Sequence, residues 1–303
     1  MRVCGFSIAY NAVRFGYPIE ASLRSMLPLL DELVLNIGEG DDQTWDLVQS
    51  MREPKIRPFR SAWDPNLRFG GELLAQQTNL ALERCRGDWG LYLQADEVLH
   101  EKDYPEIRQA MEYHRTRSTE SLRFRYFHFY GSFQTIQDYP LRWYKRGIRA
   151  VKLGIGAASW GDAMDFCIRW RGQNCFPRYV DLDAYIYHYG WARPPQVMRA
   201  KWENSERLYH DDDSLARKLD EIPQDVYSER GNLRYFRGTH PQVMQETIAR
   251  QSWPFDPGID RQPPDWLRHG LVWTDLLRRR AIPYFSKWRQ RQRRARIQGK
   301  QTS

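Results

Sequence analysis

Asp96 is the residue whose setting most suggests chemistry. The apolar run Trp89-Gly90-Leu91-Tyr92-Leu93 reads as a buried strand. It delivers Gln94 and Asp96 two residues apart, hence on one side of a pleat, with Glu97 at the tip. A divalent cation held by one carboxylate and by diphosphate oxygens needs little more from a protein. The competing reading is a set of acids that merely caps the next element, and Asp96 alone does not separate the two. Asp211-Asp212-Asp213 is a second acidic group. It could bind a cation, but three acids just before Ser214 suit the start of a helix better. His188 ends the aromatic run Tyr185-Ile186-Tyr187-His188-Tyr189 and on its own terms reads as a packed histidine.

These residues need a scaffold, and the first hundred positions supply an alternating one. Apolar runs over 3–9, 32–37, 55–59 and 89–93 read as strands. Helical spacing over 18–30, 44–51 and 71–85 separates them, with Gly87 as the expected left-handed stop of the third helix. Strands alternating with helices predict an α/β fold with a mostly parallel sheet. Ligands bind such sheets at the carboxyl ends of the strands, where the 38–42 and 94–97 turns fall. Further on, 122–129, 148–153 and 183–188 read as strands and 194–209 as a helix. From 224 the chain is rich in Pro, Trp and Arg. The expected division is one α/β domain over 1–210 and a basic, helical extension over 211–303.

Composition narrows the partners. The chain has 303 residues, 41% hydrophobic and 14% aromatic, with 12 Trp, enough for a sizeable core and for stacking platforms. Its formal charge is +8, which favours anionic partners. The excess sits between Arg278 and Lys300, a stretch without an acid that carries Tyr284, Phe285 and Trp288. A basic aromatic segment can lie on an anionic membrane surface, or be a solvated end. Cys4, Cys85, Cys167 and Cys175 form no CxxC pair, against a zinc knuckle or a disulfide framework. No leader pattern precedes the first strand and no run of about 18 apolar residues occurs, so a cytoplasmic location, with at most peripheral membrane attachment, is expected.

Four groups of residues resemble glycosyltransferase family 2, whose fold is of the GT-A kind. Phe6-Ser7-Ile8-Ala9-Tyr10-Asn11 resembles its opening strand, and 31–44 the strand and acidic turn that grip a nucleoside. Asn79-Leu80-Ala81-Leu82-Glu83 with Gly87-Asp88-Trp89 resembles the helix and turn before the metal motif, and Gln94-Ala95-Asp96-Glu97 resembles that D-x-D motif itself. The match covers roughly the first hundred residues. Gln94 replaces the first acid, and Gly38-Glu39-Gly40-Asp41-Asp42 departs from the usual run of Asp followed by Gly-Ser. The overall pattern also resembles the subgroup near lipopolysaccharide core β-1,4-glucosyltransferases.

The resemblance implies a metal-dependent transfer of a sugar from a nucleoside-diphosphate donor to a glycan or lipid-linked hydroxyl. Asp96 and His188 would hold Mn²⁺ or Mg²⁺. Ser7, Asn11, Glu39, Asp41, Asp42, Asn79, Gln94 and Arg142 would meet the nucleotide, with Lys145 and Arg193 as further phosphate cations. An inverting reaction needs a base. The Gly turn Trp160-Gly161-Asp162-Ala163-Met164-Asp165 offers Asp162 first and Asp165 second, with Asp138 and Glu203 in reserve. Three rivals remain. A nucleotidyltransferase would want an early Gly-rich loop, whereas residues 1–20 hold only Gly5 and Gly16. A nucleic-acid-binding protein would use the basic segment, though nothing in the first 200 residues calls for nucleic acid. An inactive transferase relic is kept open by Gln94.

Overall fold

Strand β1 (Val3–Ala9) is buried along its whole length, as an apolar run with side chains on two covered faces should be. In the computed structural model the chain continues through α1 (Ile19–Met26), β2 (Glu32–Gly38), α2 (Thr44–Ser50), β3 (Ile56–Ser61), α3 (Glu72–Leu82) and β4 (Trp89–Tyr92). The structure describes residues 1–259 apart from Pro65, Arg68, Phe69, residues 139–142, Glu229 and Gly231. Arg142 and the basic segment therefore lie outside the described residues.

β1, β2 and β3 pair in parallel in that order. β4 also runs parallel, but on the opposite side of β1. The strand order thus reverses between β1 and β4, and a crevice opens at the carboxyl ends of strands at such a point.

The remaining elements are β5 (Glu97–Leu99), α4 (Tyr104–His114), β6 (Ser121–Tyr130), β7 (Thr135–Gln137), β8 (Arg146–Lys152), β9 (Ala157–Trp160), β10 (Asp165–Trp170), β11 (Gln173–Cys175), β12 (Tyr179–Trp191), α5 (Pro195–Arg207), α6 (Asp212–Asp220), β13 (Leu233–Tyr235) and α7 (Gln245–Ala249). β8 joins β4 antiparallel and carries the sheet on through β6, β7 and β13. β12 lies parallel beside β6 and antiparallel to β5, completing a mixed ten-stranded sheet. β9, β10 and β11 form a small separate sheet. One face of the main sheet packs Leu33, Leu35 and Leu91 against Leu23 and Met26 of α1 and Ile107 and Met111 of α4. The other packs Phe6 and Tyr92 against Ala81 and Leu82 of α3 and Phe166 of β10.

The α/β class and the alternating first half match the sequence expectation. Several details differ. The third helix ends at Leu82, and Gly87 takes φ of 142° rather than the left-handed helical value. Its role is close approach, since a Cβ there would sit 2.7 Å from the Arg2 carbonyl oxygen. α4 and the β9–β11 sheet were not foreseen. β13 belongs to the main sheet, so residues after 210 share the core of the α/β unit. Asp211 accepts from the Ser214 N–H at 2.9 Å, so the acidic run caps α6. Among the described residues no helix is long and apolar enough to cross a membrane.

One buried ion pair ties the halves together. Glu97 and Arg149 are each 0% exposed. Arg149 Nε donates to Glu97 Oε2 at 2.8 Å and Nη2 to Oε1 at 2.7 Å. Tyr126 OH and the Gln94 N–H complete the carboxylate, while Arg149 Nη1 donates to the Ile148 and Met164 carbonyls. Removing one partner of a buried pair strands a charge in a low-dielectric interior. Arg149→Met should therefore lower the unfolding free energy by about 3–5 kcal/mol, read from urea denaturation. The double variant Glu97→Gln/Arg149→Met should lose less than the sum of the two single changes.

Candidate active site

The crevice at the β1/β4 reversal is a cleft of about 530 Å³. The end of β1 supplies Tyr10, the segment after β3 supplies Trp63, and the residues after β4 supply Gln94 and Asp96. Asp162, His188 and Lys201 close it from the other side. Gln94 and Asp96 do not share a pleat as expected. β4 stops at Tyr92, and the Glu97 N–H bonds the Gln94 carbonyl at 3.0 Å, so both residues reach the cleft through a turn. The Tyr10 and Trp63 rings stack with centroids 5.0 Å apart.

Asp96 is only 5% exposed and is surrounded by cations. Its Oδ2 lies 3.2 Å from Lys201 Nζ and 3.9 Å from Arg193 Nη2. Burial pushes its carboxyl up, but the Lys201 and Arg193 cations outweigh that and hold it at about 2. Burial and then Arg193 lower Lys201 to about 8 against the pull of Asp96, so the amine is charged at neutral pH. The ring of Tyr17 lies under both cations, 4.7 Å from the Arg193 guanidinium carbon and 5.0 Å from Lys201 Nζ.

The orientation of His188 follows from its partners. His128 Nε2 meets the Tyr144 carbonyl at 2.7 Å, and a carbonyl only accepts, so Nε2 carries the proton. Burial holds His128 neutral, at about 3, which makes its Nδ1 an acceptor. His188 Nδ1, 2.9 Å away, must donate to it. His188 is also neutral, lowered to about 4 by burial, so its Nε2 turns a lone pair toward Asp96 Oδ2, 3.7 Å away. Gly190 makes room for this approach. A Cβ there would collide with His188 Nε2 and stand 2.7 Å from Asp96 Oδ2.

Asp96 and His188 therefore meet, as the sequence led us to expect. A divalent cation nevertheless fits this donor set poorly. The carboxylate oxygen that faces His188 already holds an ammonium, and a guanidinium stands behind it. Among the described residues no group of three or more His, Cys, Asp or Glu could surround an ion.

The other expected residues divide clearly. Gln94 lines the cleft. Asp162 lines it from the β9–β10 hairpin turn, with Tyr209 OH 3.4 Å from its Oδ2 and with its backbone lying where a Gly71 side chain would otherwise stand. Asp165 does not line it: its carboxylate accepts from the Ile148 and Phe166 N–H groups, and burial raises it. Ser7 donates to the Leu93 carbonyl, and Asn79 exchanges two hydrogen bonds with the Ser159 backbone. Both fasten elements to each other away from the cleft. Asn11, Asp41 and Arg14 form a network between the loops after β1 and β2. Asp42 accepts from Thr44 N–H at the head of α2, and Glu39 is exposed. Lys145 pairs with Asp138, and neither they nor Glu203 line the cleft. Arg193 is buried beneath Asp96. Lys201, His128, Tyr10 and Trp63 were missed. Lys201 lies 105 positions from Asp96, and no spacing rule joins them.

No protein-family model matches the chain, and no curated protein matches it. Among solved structures, S. aureus TarS in complex with UDP is 14% identical, covering 73% of this chain and 70% of that one with a TM-score of 0.41. The mannosyltransferase PcManGT from Pyrobaculum calidifontis, in complex with GDP-Man and Mn²⁺, is 15% identical over 67% of this chain and 60% of that one, TM-score 0.40. A nucleotidyl transferase from Methanothermobacter thermautotroptrophicus is 13% identical over 50% and 70%, TM-score 0.30. At such identities and superpositions the likeness carries no argument about activity.

The buried histidine pair gives the protein an acid-sensitive point. Both rings stay neutral when folded, at about 3 and about 4 against the usual 6.5. The unfolded chain takes up protons first, so their contribution to stability is complete above 6.5 and is lost as pH falls toward 4. Urea midpoints should drop between about pH 7 and about pH 5, and His128→Asn, which removes one titrating ring, should make the drop shallower.

Proposed function

We propose that this chain is a glycosyltransferase of the GT-A kind that binds a nucleoside-diphosphate sugar in the Asp96 cleft. The observation that carries the reading is the position of that cleft. It lies at the carboxyl ends of parallel strands, where their order reverses between β1 and β4, and one ionised carboxylate stands there among cations. A diphosphate suits the cations, and the stacked Tyr10–Trp63 pair offers a flat apolar face for a nucleobase. The residues that resemble motifs of glycosyltransferase family 2 favour the same donor class.

In this reading Asp162 is the base for an inverting displacement. It lines the cleft from an independent element, so it can face an acceptor hydroxyl while the leaving diphosphate stays near Lys201. Trp160 and Met164, both exposed beside it, give an apolar rim on which a sugar ring of a glycan acceptor can stack. The chemistry asked of the protein is then modest: orient the donor, neutralise the departing diphosphate, and accept one proton.

Titration calorimetry with UDP, GDP and dTDP tests the donor site. One of these diphosphates should bind, and Tyr10→Ala should weaken it. If none binds, the cleft is not a nucleotide site. Once a donor and acceptor are in hand, Asp162→Asn should lower kcat by roughly 100-fold or more with the diphosphate affinity unchanged.

A further inference from the structure

Two acceptors converge in the cleft: Asp96 Oδ2 and, through the tautomer fixed by His128, the Nε2 lone pair of His188 at 3.7 Å. The chain brings a cation to the first of these on α5. Lys201 Nζ donates to Asp96 Oδ2 at 3.2 Å and to the Gly190 carbonyl at 2.8 Å. A carboxylate oxygen and a carbonyl oxygen are ligands a hard metal ion would take. The ammonium has a third N–H, and among the described residues its hydrogen bonds go only to these two acceptors. Its stem passes the rings of Tyr17 and Trp191, with Nζ 5.0 and 5.9 Å from their centroids, which confines the head to the cleft side.

The charge count supports the same conclusion. Asp96 carries one negative charge, and Lys201 and Arg193 carry two positive charges within 4 Å of it. The cluster is left with an excess positive charge before any ligand arrives, which suits a diphosphate. A divalent ion on Asp96 Oδ2 would sit against an ammonium that already occupies that oxygen, and the single carboxylate in contact with that ammonium would have to balance both.

We propose that Lys201 takes the place of a divalent cation in this cleft and itself grips the donor's diphosphate, with Asp96 and the Gly190 carbonyl as its cradle, so that nucleotide binding needs no metal. The proposal rests on the reading of the cleft as a nucleoside-diphosphate site. It assigns Asp96 a new task, holding a lysine in position rather than ligating an ion.

Calorimetry of UDP, GDP and dTDP is run on the full chain in EDTA and again in Mn²⁺. The expected result is one diphosphate bound in EDTA, with an affinity that Mn²⁺ leaves essentially unchanged. Lys201→Met keeps the stem and removes the charge, and should weaken binding in EDTA by roughly 10- to 100-fold, the worth of a charge-assisted contact. It should melt somewhat lower than wild type, because Asp96 keeps only Arg193, but still in one cooperative transition, and Lys201→Arg should retain most of the affinity. Binding that appears only with Mn²⁺ overturns the proposal while the nucleotide-site reading stands, and it needs no variant to be seen. Wild-type affinity in a folded Lys201→Met also overturns it. Absence of binding under every condition overturns both, and so separates the two failures.

Discussion

The Glu97–Arg149 pair holds the cleft in shape. Both groups are fully buried, so neither charge can turn to water, and each must keep its partners. Glu97 takes the Gln94 N–H, which closes the turn that presents Asp96. Arg149 reaches the Met164 carbonyl, two residues past Asp162, on an otherwise separate small sheet. Gln94 Nε2 adds a contact of 3.5 Å to the Ala163 carbonyl on the same hairpin. One ion pair thereby fixes the two carboxylates of the cleft relative to each other, although they lie on turns that belong to different sheets.

Asp96 and Glu97 show how adjacent acids acquire different fates. Glu97 points inward and is saturated by an arginine fork, a tyrosine hydroxyl and a backbone N–H. Asp96 points into the cleft and meets cations that are not geometrically saturated by it. The first arrangement is rigid, because moving it would expose unpaired charge. The second leaves positive charge available for a ligand. Charge placed in a partly buried cleft acts through a lower effective dielectric than charge on a surface, so a modest excess there binds an anion well.

The histidine pair extends this logic. His128 does not line the cleft, yet through one hydrogen bond it decides which nitrogen of His188 carries a proton. The Tyr144 carbonyl starts that chain, and burial keeps both rings neutral so that the direction of each bond is fixed. A glycine at 190 lets the ring and the Asp96 carboxylate approach. Each of these is a constraint of packing rather than of residue type.

What the sequence determined was local. The period of its apolar residues gave the alternating strands and helices of the first half, because burial on two faces leaves a continuous apolar run such as Val3–Ala9. The acids at the carboxyl ends of those strands pointed to Asp96, and the glycine turn pointed to Asp162; the structure brings both to one cleft. His188 was singled out only through the family resemblance, since its aromatic strand by itself reads it as a packed histidine. The tertiary structure alone decided the rest. It turned Ser7, Asn79 and Asp165 to backbone partners, since a polar side chain near an unpaired N–H or carbonyl is taken up by it. It also brought Lys201 across 105 residues onto Asp96. Coulomb attraction depends on distance in space, and no periodicity in the chain records which distant cation will arrive.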